Sequence, residues 1–269
     1  MFKINTEEPH SFFIPYNKAG DSLTQTLNGT WDFKLYKIDD EVPEKFYKKS
    51  FDKSDWDKIP VPSNWQFHSD DFPVYTNIIY PYEINPPFMP SNYNPVALYK
   101  RNFNLKDDWE NMEVFIHFGA VNSAFYVWVN EKFVGYSEGS KTPAEFNLTD
   151  FVVEGNNEII LKVIRWSDGT YLEDQDFWRL SGIERDVFLY TQPKLAVRDY
   201  FLKNYLNDDL TNSKINFEVD LKNYSDKRKT FELITSIKKD NKIVFKKTKN
   251  GMIGSNGSQK ILIEGCLGS

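Results

Sequence analysis

Four carboxylates and four aromatic rings crowd Trp166 to Trp178, inside the run Arg165 to Tyr190, RWSDGTYLEDQDFWRLSGIERDVFLY. Asp168, Glu173, Asp174 and Asp176 lie between Trp166 and Trp178, and no Lys or Arg falls among them. Trp166, Tyr171, Phe177 and Trp178 are interleaved with those acids. An aromatic face can cover the apolar C–H side of a pyranose, while carboxylates accept hydrogen bonds from its hydroxyls. Clustered oxygens can also hold a hard cation. The same composition equally describes a solvated acidic loop beside core aromatics. Glu173 with Asp174 or Asp176 makes a poor hydrolytic pair, because neighbours in one loop seldom face each other across a sugar.

The elements that must position this run read as strands. Leu27 to Tyr36 is a turn followed by an alternating strand. Residues 39–58 are charged and without period. Ile59-Pro60-Val61-Pro62 fixes an extended backbone. From Ser63 to Pro95 aromatics, Asn and Pro dominate, and six prolines rule out a long helix. A stretch of that length and composition predicts an ordered functional loop or short edge strands. Ala97 to Leu105 and Glu113 to Phe118 follow as strands. Ala124 to Val129 and Lys132 to Tyr136 form a hairpin about Asn130-Glu131. Phe146 to Phe151 predicts a short helical turn. Glu158 to Trp166 is a central strand, and Asp186 to Tyr190 closes the sheet.

All seven tryptophans lie at or before Trp178, and lysines thicken from Lys194 onward. Pro193 marks the linker. The fold class is mainly β: a sandwich or jelly roll over 1–193, then an immunoglobulin-like sandwich over 194–269. Strand candidates in the second part lie near Val197–Leu202, Ile215–Leu221, Phe231–Ile237, Ile243–Lys247 and Gln259–Ile263. A complete domain of that kind needs about seven strands and roughly 100 residues, so the second sandwich is expected to be incomplete.

Bulk properties exclude other classes. With 33 basic and 39 acidic residues the net charge is −6, a poor match to nucleic acid or an anionic membrane. No run approaches the roughly 20 apolar residues that span a bilayer. The one cysteine, Cys266, allows no internal disulfide, and the first residues read as no signal peptide, so a cytoplasmic protein is expected. His10, His68 and His117 show no metal-ligand spacing. No nucleophile elbow, Walker loop or dinucleotide fingerprint occurs.

Four blocks in order resemble the N-terminal part of the large bacterial β-galactosidases of glycoside hydrolase family 2. They are Leu27 to Phe33, VPSNWQFHSDDFPVYTNIIYPYEINPPFMP from Val61 to Pro90, GAVNSAFYVWVNEKFVGYSEGSKTPAEFNL from Gly119 to Leu148, and the Arg165–Tyr190 run. The resemblance covers nearly all of residues 20–190. It implies that 1–193 is a jelly-roll sugar-binding domain, followed by an immunoglobulin-like domain, then a C-terminal catalytic barrel whose two glutamates lie outside this chain. It implies that Asn77 and Asp176 contact a galactoside substrate and that Asp176 also ligates a sodium ion. Asp168 matches a position tied in some relatives to a peripheral magnesium. It further implies a full-length enzyme that assembles as a homo-oligomer and hydrolyses terminal β-D-galactosides such as lactose with retention. A stand-alone carbohydrate-binding module is the alternative, as is a family 2 enzyme for another sugar, a β-glucuronidase or β-mannosidase. Trp31, Trp65, Trp128 and Trp166 are expected to be core rather than sugar platforms.

Overall fold

A computed structural model of the chain describes residues 3–11, 23–106 and 109–268. From sequence, residues 1–22 read as extended and irregular; of these, 1–2 and 12–22 lie outside the described residues. The described residues fall into two compact units that divide at 191/192, with residues 8–11 belonging to the second.

The first unit is a sandwich of antiparallel sheets. The larger sheet has seven strands in the order Lys3–Ile4, Lys132–Glu138, Ala124–Val129, Asn156–Ile164, Val96–Asn104, Gly29–Tyr36 and Asp57–Val61. Asn156–Ile164 is its middle strand. Ile159, Leu161 and Val163 are fully buried there, as period-two alternation demands of a face turned to a core. The hairpin turn at Asn130-Glu131 puts both residues at positive φ, 50° and 67°. This is the twist that a two-residue hairpin connection favours.

The facing sheet has the order Ala144–Asn147, Glu113–Phe118, Val187–Gln192 and Thr24–Thr26. Phe118, Phe125 and Phe146 meet edge to face between the two sheets, at centroid distances of 5.0 to 6.2 Å. Two expectations change here. Phe146 begins no helical turn: Ala144–Asn147 pairs as a strand with Glu113–Phe118, and a turn follows it. The pairing buries Phe146 completely, a tertiary gain that no local pattern announces. Val187–Gln192 closes no edge, since it lies inside the smaller sheet.

Segment 37–58 crosses the outer face of the larger sheet. Phe46 and Trp56 bury themselves there against Leu98 and Ile160, forming a core separate from the one between the sheets.

The second unit has five strands among the described residues. Leu195–Leu206, Asn212–Asn223 and Ser258–Gly268 form one sheet, and Lys229–Lys239 with Lys242–Ile253 form another. Val219, Leu221, Ile261 and Ile263 from the first and Ile253 from the second make its core. The strands predicted from sequence are all present, and each runs longer than its apolar stretch.

Candidate functional site

The Pro-rich stretch 65–95 is a loop held at both ends by buried polar contacts. At its start Asp71 and Arg165 form an ion pair whose side chains are 1% and 0% exposed. The Asp71 carboxylate also accepts from Trp65 Nε1 (2.6 Å), Gln66 Nε2 (2.9 Å) and the Tyr93 hydroxyl (2.6 Å). Arg165 donates to the Phe72 carbonyl at 3.0 Å and lies 4.7 Å from the Trp166 ring. At its far end the Asn94 amide grips the backbone of Trp166 twice, at 2.9 and 3.0 Å. Tyr171 ties the middle: its hydroxyl accepts from Asn85 N and donates to the Phe88 carbonyl. These contacts fasten the loop to the acidic run that follows the middle strand.

Burial, reinforced by the hydrogen bond to Asp71, pushes the Tyr93 phenol from its ordinary 10.0 up to about 12. Folding therefore favours the neutral phenol. Its contribution to stability is whole below about pH 10 and is lost as pH rises through about 12. We expect the stability difference between the natural chain and Tyr93→Phe to shrink across that window. A difference that stays constant in denaturant melts there would contradict this.

Within the loop Val74–Thr76 pairs antiparallel with Phe177–Arg179: Thr76 faces Phe177, Tyr75 faces Trp178, and Val74 faces Arg179. The ladder ends there, and Asn77 and Asp176 are the residues that flank its last pair. Alternation then gives the ribbon two unlike sides. Tyr75, Asn77, Asp176 and Trp178 are all exposed, Trp178 at 57% and Tyr75 at 55%. The Tyr75 and Trp178 rings lie 5.6 Å apart, and the Tyr75 hydroxyl donates to Asp176 Oδ1 at 2.5 Å. That hydrogen bond raises the Tyr75 phenol. Asn77 Oδ1 accepts from its neighbour Ile78 N, which leaves the amide N–H groups free of any partner among the described residues.

The other side is turned inward. Arg179 is buried; it donates from Nε to Thr76 Oγ1 at 2.9 Å, pairs with Asp174, and stacks 4.6 Å from the Phe177 ring. Below the ribbon, Gly182 has φ +135°, and a Cβ there would stand 2.6 Å from the Ser63 carbonyl. The Gly182–Ile183 strand is thus pressed between Ser63–Asn64 and Val121–Asn122.

The four acids of the run separate into four tasks. Asp174 serves Arg179. Glu173 accepts from Ser140 N at 2.7 Å. Asp168 is exposed at the start of the short 3-10 helix Asp168–Leu172, capped by Ser167 and Thr170. Asp176 is the carboxylate on the open side of the ribbon, and it pairs with neither Arg179 nor Arg185. Among the described residues no group of three or more His, Cys, Asp or Glu side chains is placed to hold a metal ion. Asp168 would be one carboxylate ligand of the peripheral magnesium that the resemblance implies. Asp176 offers a hard anionic oxygen that fits sodium as one ligand of several.

Trp31, Trp65 and Trp166 are buried as expected, and Trp128 is half-buried. Tyr75 is not singled out in the sequence as a contact residue, and Trp178 only as one of four rings in the acidic run. Their signal is spacing: each lies two residues from a candidate contact, which is the same-side interval of a strand.

Residues 24–193 match the family model for glycosyl hydrolases family 2, sugar binding domain. Three similar proteins are named β-galactosidase. The one from Priestia megaterium is 42% identical over 83% of this chain and 23% of its own length. That from Clostridium acetobutylicum is 41% identical over 90% and 28%, and that from Vibrio cholerae 48% over 68% and 18%. The chain thus spans about a quarter of the relatives it matches. A crystal structure of a β-glucuronidase from Bacteroides uniformis has the same fold, with a TM-score of 0.74 at 21% identity over 91% of this chain and 28% of that one. So does a glycosyl hydrolase family 2 member from Bacteroides cellulosilyticus, with a TM-score of 0.65 at 20% identity over 91% and 31%. The match over more than half its length places this chain in glycosyl hydrolase family 2, with residues 24–193 as its sugar-binding domain.

Proposed function

We propose that this chain is the N-terminal sugar-binding part of a β-galactosidase that hydrolyses terminal β-D-galactosides, lactose among them, with retention. The open side of the ribbon carries the reading. It offers the two things a galactoside needs: ring faces at Tyr75 and Trp178, and polar groups at Asn77 and Asp176. A neutral hydroxylated sugar gives its C–H face to the rings and its hydroxyls to the amide and carboxylate. A sodium ion shared between Asp176 and a sugar oxygen belongs to the same reading.

Chemistry is assigned elsewhere. Retention needs two carboxyls about 5–5.5 Å apart. On this ribbon Glu173 and Asp174 are committed to Ser140 and Arg179, leaving Asp176 to bind. The catalytic glutamates belong to a C-terminal barrel of the same protein. Exposed Ile78, Ile79, Ile84, Phe88 and Leu172 form an apolar apron about the ribbon that such a neighbour would cover.

The test uses the whole enzyme that bears this chain, assayed on nitrophenyl β-galactoside and nitrophenyl β-glucuronide. Turnover should favour the galactoside, and Asn77→Ala should lower kcat/KM by about 2- to 10-fold, the worth of one neutral hydrogen bond. Preference for the glucuronide, or an Asn77→Ala enzyme with unchanged kcat/KM, would overturn the assignment. The 269-residue chain alone should leave either substrate intact.

A further inference from the structure

Rings and carboxylates meet a second time in the first unit, on the outer face of the seven-stranded sheet. Along Ala124–Val129 the side chains of Phe125, Val127 and Val129 are buried in the core between the sheets. Alternation therefore sends Tyr126 and Trp128 outward. Both are only half-buried. They form a row with Phe133 of the paired strand: Tyr126 to Trp128 is 6.0 Å between centroids, and Trp128 to Phe133 is 5.5 Å. Tyr47, from the segment that crosses this face, stacks on Trp128 at 5.6 Å with planes 8° apart.

A cleft of about 580 Å³ opens over the row. Its aromatic lining includes Tyr47, Tyr126 and Trp128, and its rim carries Asp39, Asp40 and Glu44. Lys162 reaches in from the middle strand, paired with Asp39 and 5.7 Å from the Tyr126 ring. Asp40 and Glu44 are exposed, and the described residues give them no ionic or side-chain hydrogen-bond partner. Covering the sheet explains part of this arrangement, because Phe46 and Trp56 already seal Leu98 and Ile160. It does not explain half-exposed rings lining a cleft beside unpaired acceptors. The cleft also continues: Asp39 and Asp40 line a second one, of about 340 Å³, that runs on to Trp166 and Asp168.

We propose that this cleft is a second, non-catalytic carbohydrate site that takes a neutral β-linked oligosaccharide. Its volume falls in the roughly 300–1,000 Å³ range of small-ligand sites. Ring faces take the C–H sides of successive sugars, and the carboxylates and Lys162 take their hydroxyls. Three carboxylates against one ammonium repel a uronic acid, so the ligand is uncharged. The continuation toward Trp166 gives room for more than one residue of the oligosaccharide. A chain held here and at the ribbon would gain from two attachments at once, without new contacts at either. None of the four ribbon residues lines this cleft, so the proposal stands apart from the ribbon reading.

The test titrates the full 269-residue chain with a β-linked galactotriose and, separately, with trigalacturonate, followed by heteronuclear NMR and calorimetry. Galactotriose should bind with saturable shifts at the Trp128 indole, and trigalacturonate should not. Asp40→Asn changes an exposed side chain and should leave the melting temperature nearly unchanged, while Tyr47→Ala also removes a ring stacked on Trp128 and should lower it. Each should weaken galactotriose by about fivefold or more, the worth of about one kcal/mol. Asp176→Ala should leave this binding as it was. The proposal is overturned by an absence of saturable galactotriose binding, by equal binding of the uronate, or by indifference to both cleft variants. Binding that disappears only in Asp176→Ala also overturns it, while supporting the ribbon.

Discussion

Replacing Asp71 with alanine is expected to cost about 3–5 kcal/mol, because it strands a buried charge. The Arg165 guanidinium would keep the Phe72 carbonyl, the Tyr93 hydroxyl and two ring faces but no counter-charge. Trp65 Nε1, Gln66 Nε2 and the Tyr93 hydroxyl would lose their shared acceptor as well. Desolvation already lowers the Arg165 pKa, with Asp71 opposing that effect. Against a typical net stability of about 5–15 kcal/mol this is a large fraction. Urea unfolding should show a lower midpoint with little change in slope. A loss below about 1 kcal/mol would mean that the loop does not depend on the pair. The double variant Asp71→Leu with Arg165→Met removes both charges and should be less damaged than Asp71→Ala alone. Loss of the anchor should also loosen the ribbon, seen as faster amide exchange at Tyr75 and Asn77.

The second large effect concerns binding. Asp176→Ala in the whole enzyme should reduce kcat/KM for a galactoside by about 10- to 150-fold. That range corresponds to roughly 1.5–3 kcal/mol for a hydrogen bond to a charged group. The side chain is exposed, so the melting temperature should scarcely move. Tyr75→Phe separates contact from orientation. It removes the hydroxyl that holds Asp176 Oδ1 but keeps the ring beside Trp178. It should cost less than Asp176→Ala, by about the worth of one neutral hydrogen bond. An Asp176→Ala enzyme within twofold of the natural one would remove the ribbon from the binding site.

The sequence disclosed the strands wherever side chains alternate plainly. Ile159, Leu161 and Val163 marked the middle strand, and Asn130-Glu131 marked the hairpin. It misjudged Phe146 because strand pairing with Glu113–Phe118 is a long-range event. At the candidate site, composition showed four acids and several rings in one stretch but not how they would be divided. Glu173 and Asp174 look as available as Asp176 until Ser140 and Arg179 are seen to occupy them. The tryptophans differ too: Trp65 is buried with its indole N–H on Asp71, while Trp178 is exposed two residues from Asp176. The placing of Asn77 and Asp176 beside the ladder's last pair follows from register, which the loop anchors set.

The two-sidedness of that small ribbon also constrains how its family members can diverge. Losing or gaining one residue in Val74–Thr76 would swing Tyr75 toward the protein, and in Phe177–Arg179 it would turn Trp178 inward and carry the Arg179 guanidinium out to water. In this chain the length between Asp71 and Asn77, and between Asp174 and Trp178, is therefore fixed by the register, whereas the outward side chains are under no such constraint. Sugar preference in such a scaffold can drift by replacement alone, one outward residue at a time, with no change to the framework beneath.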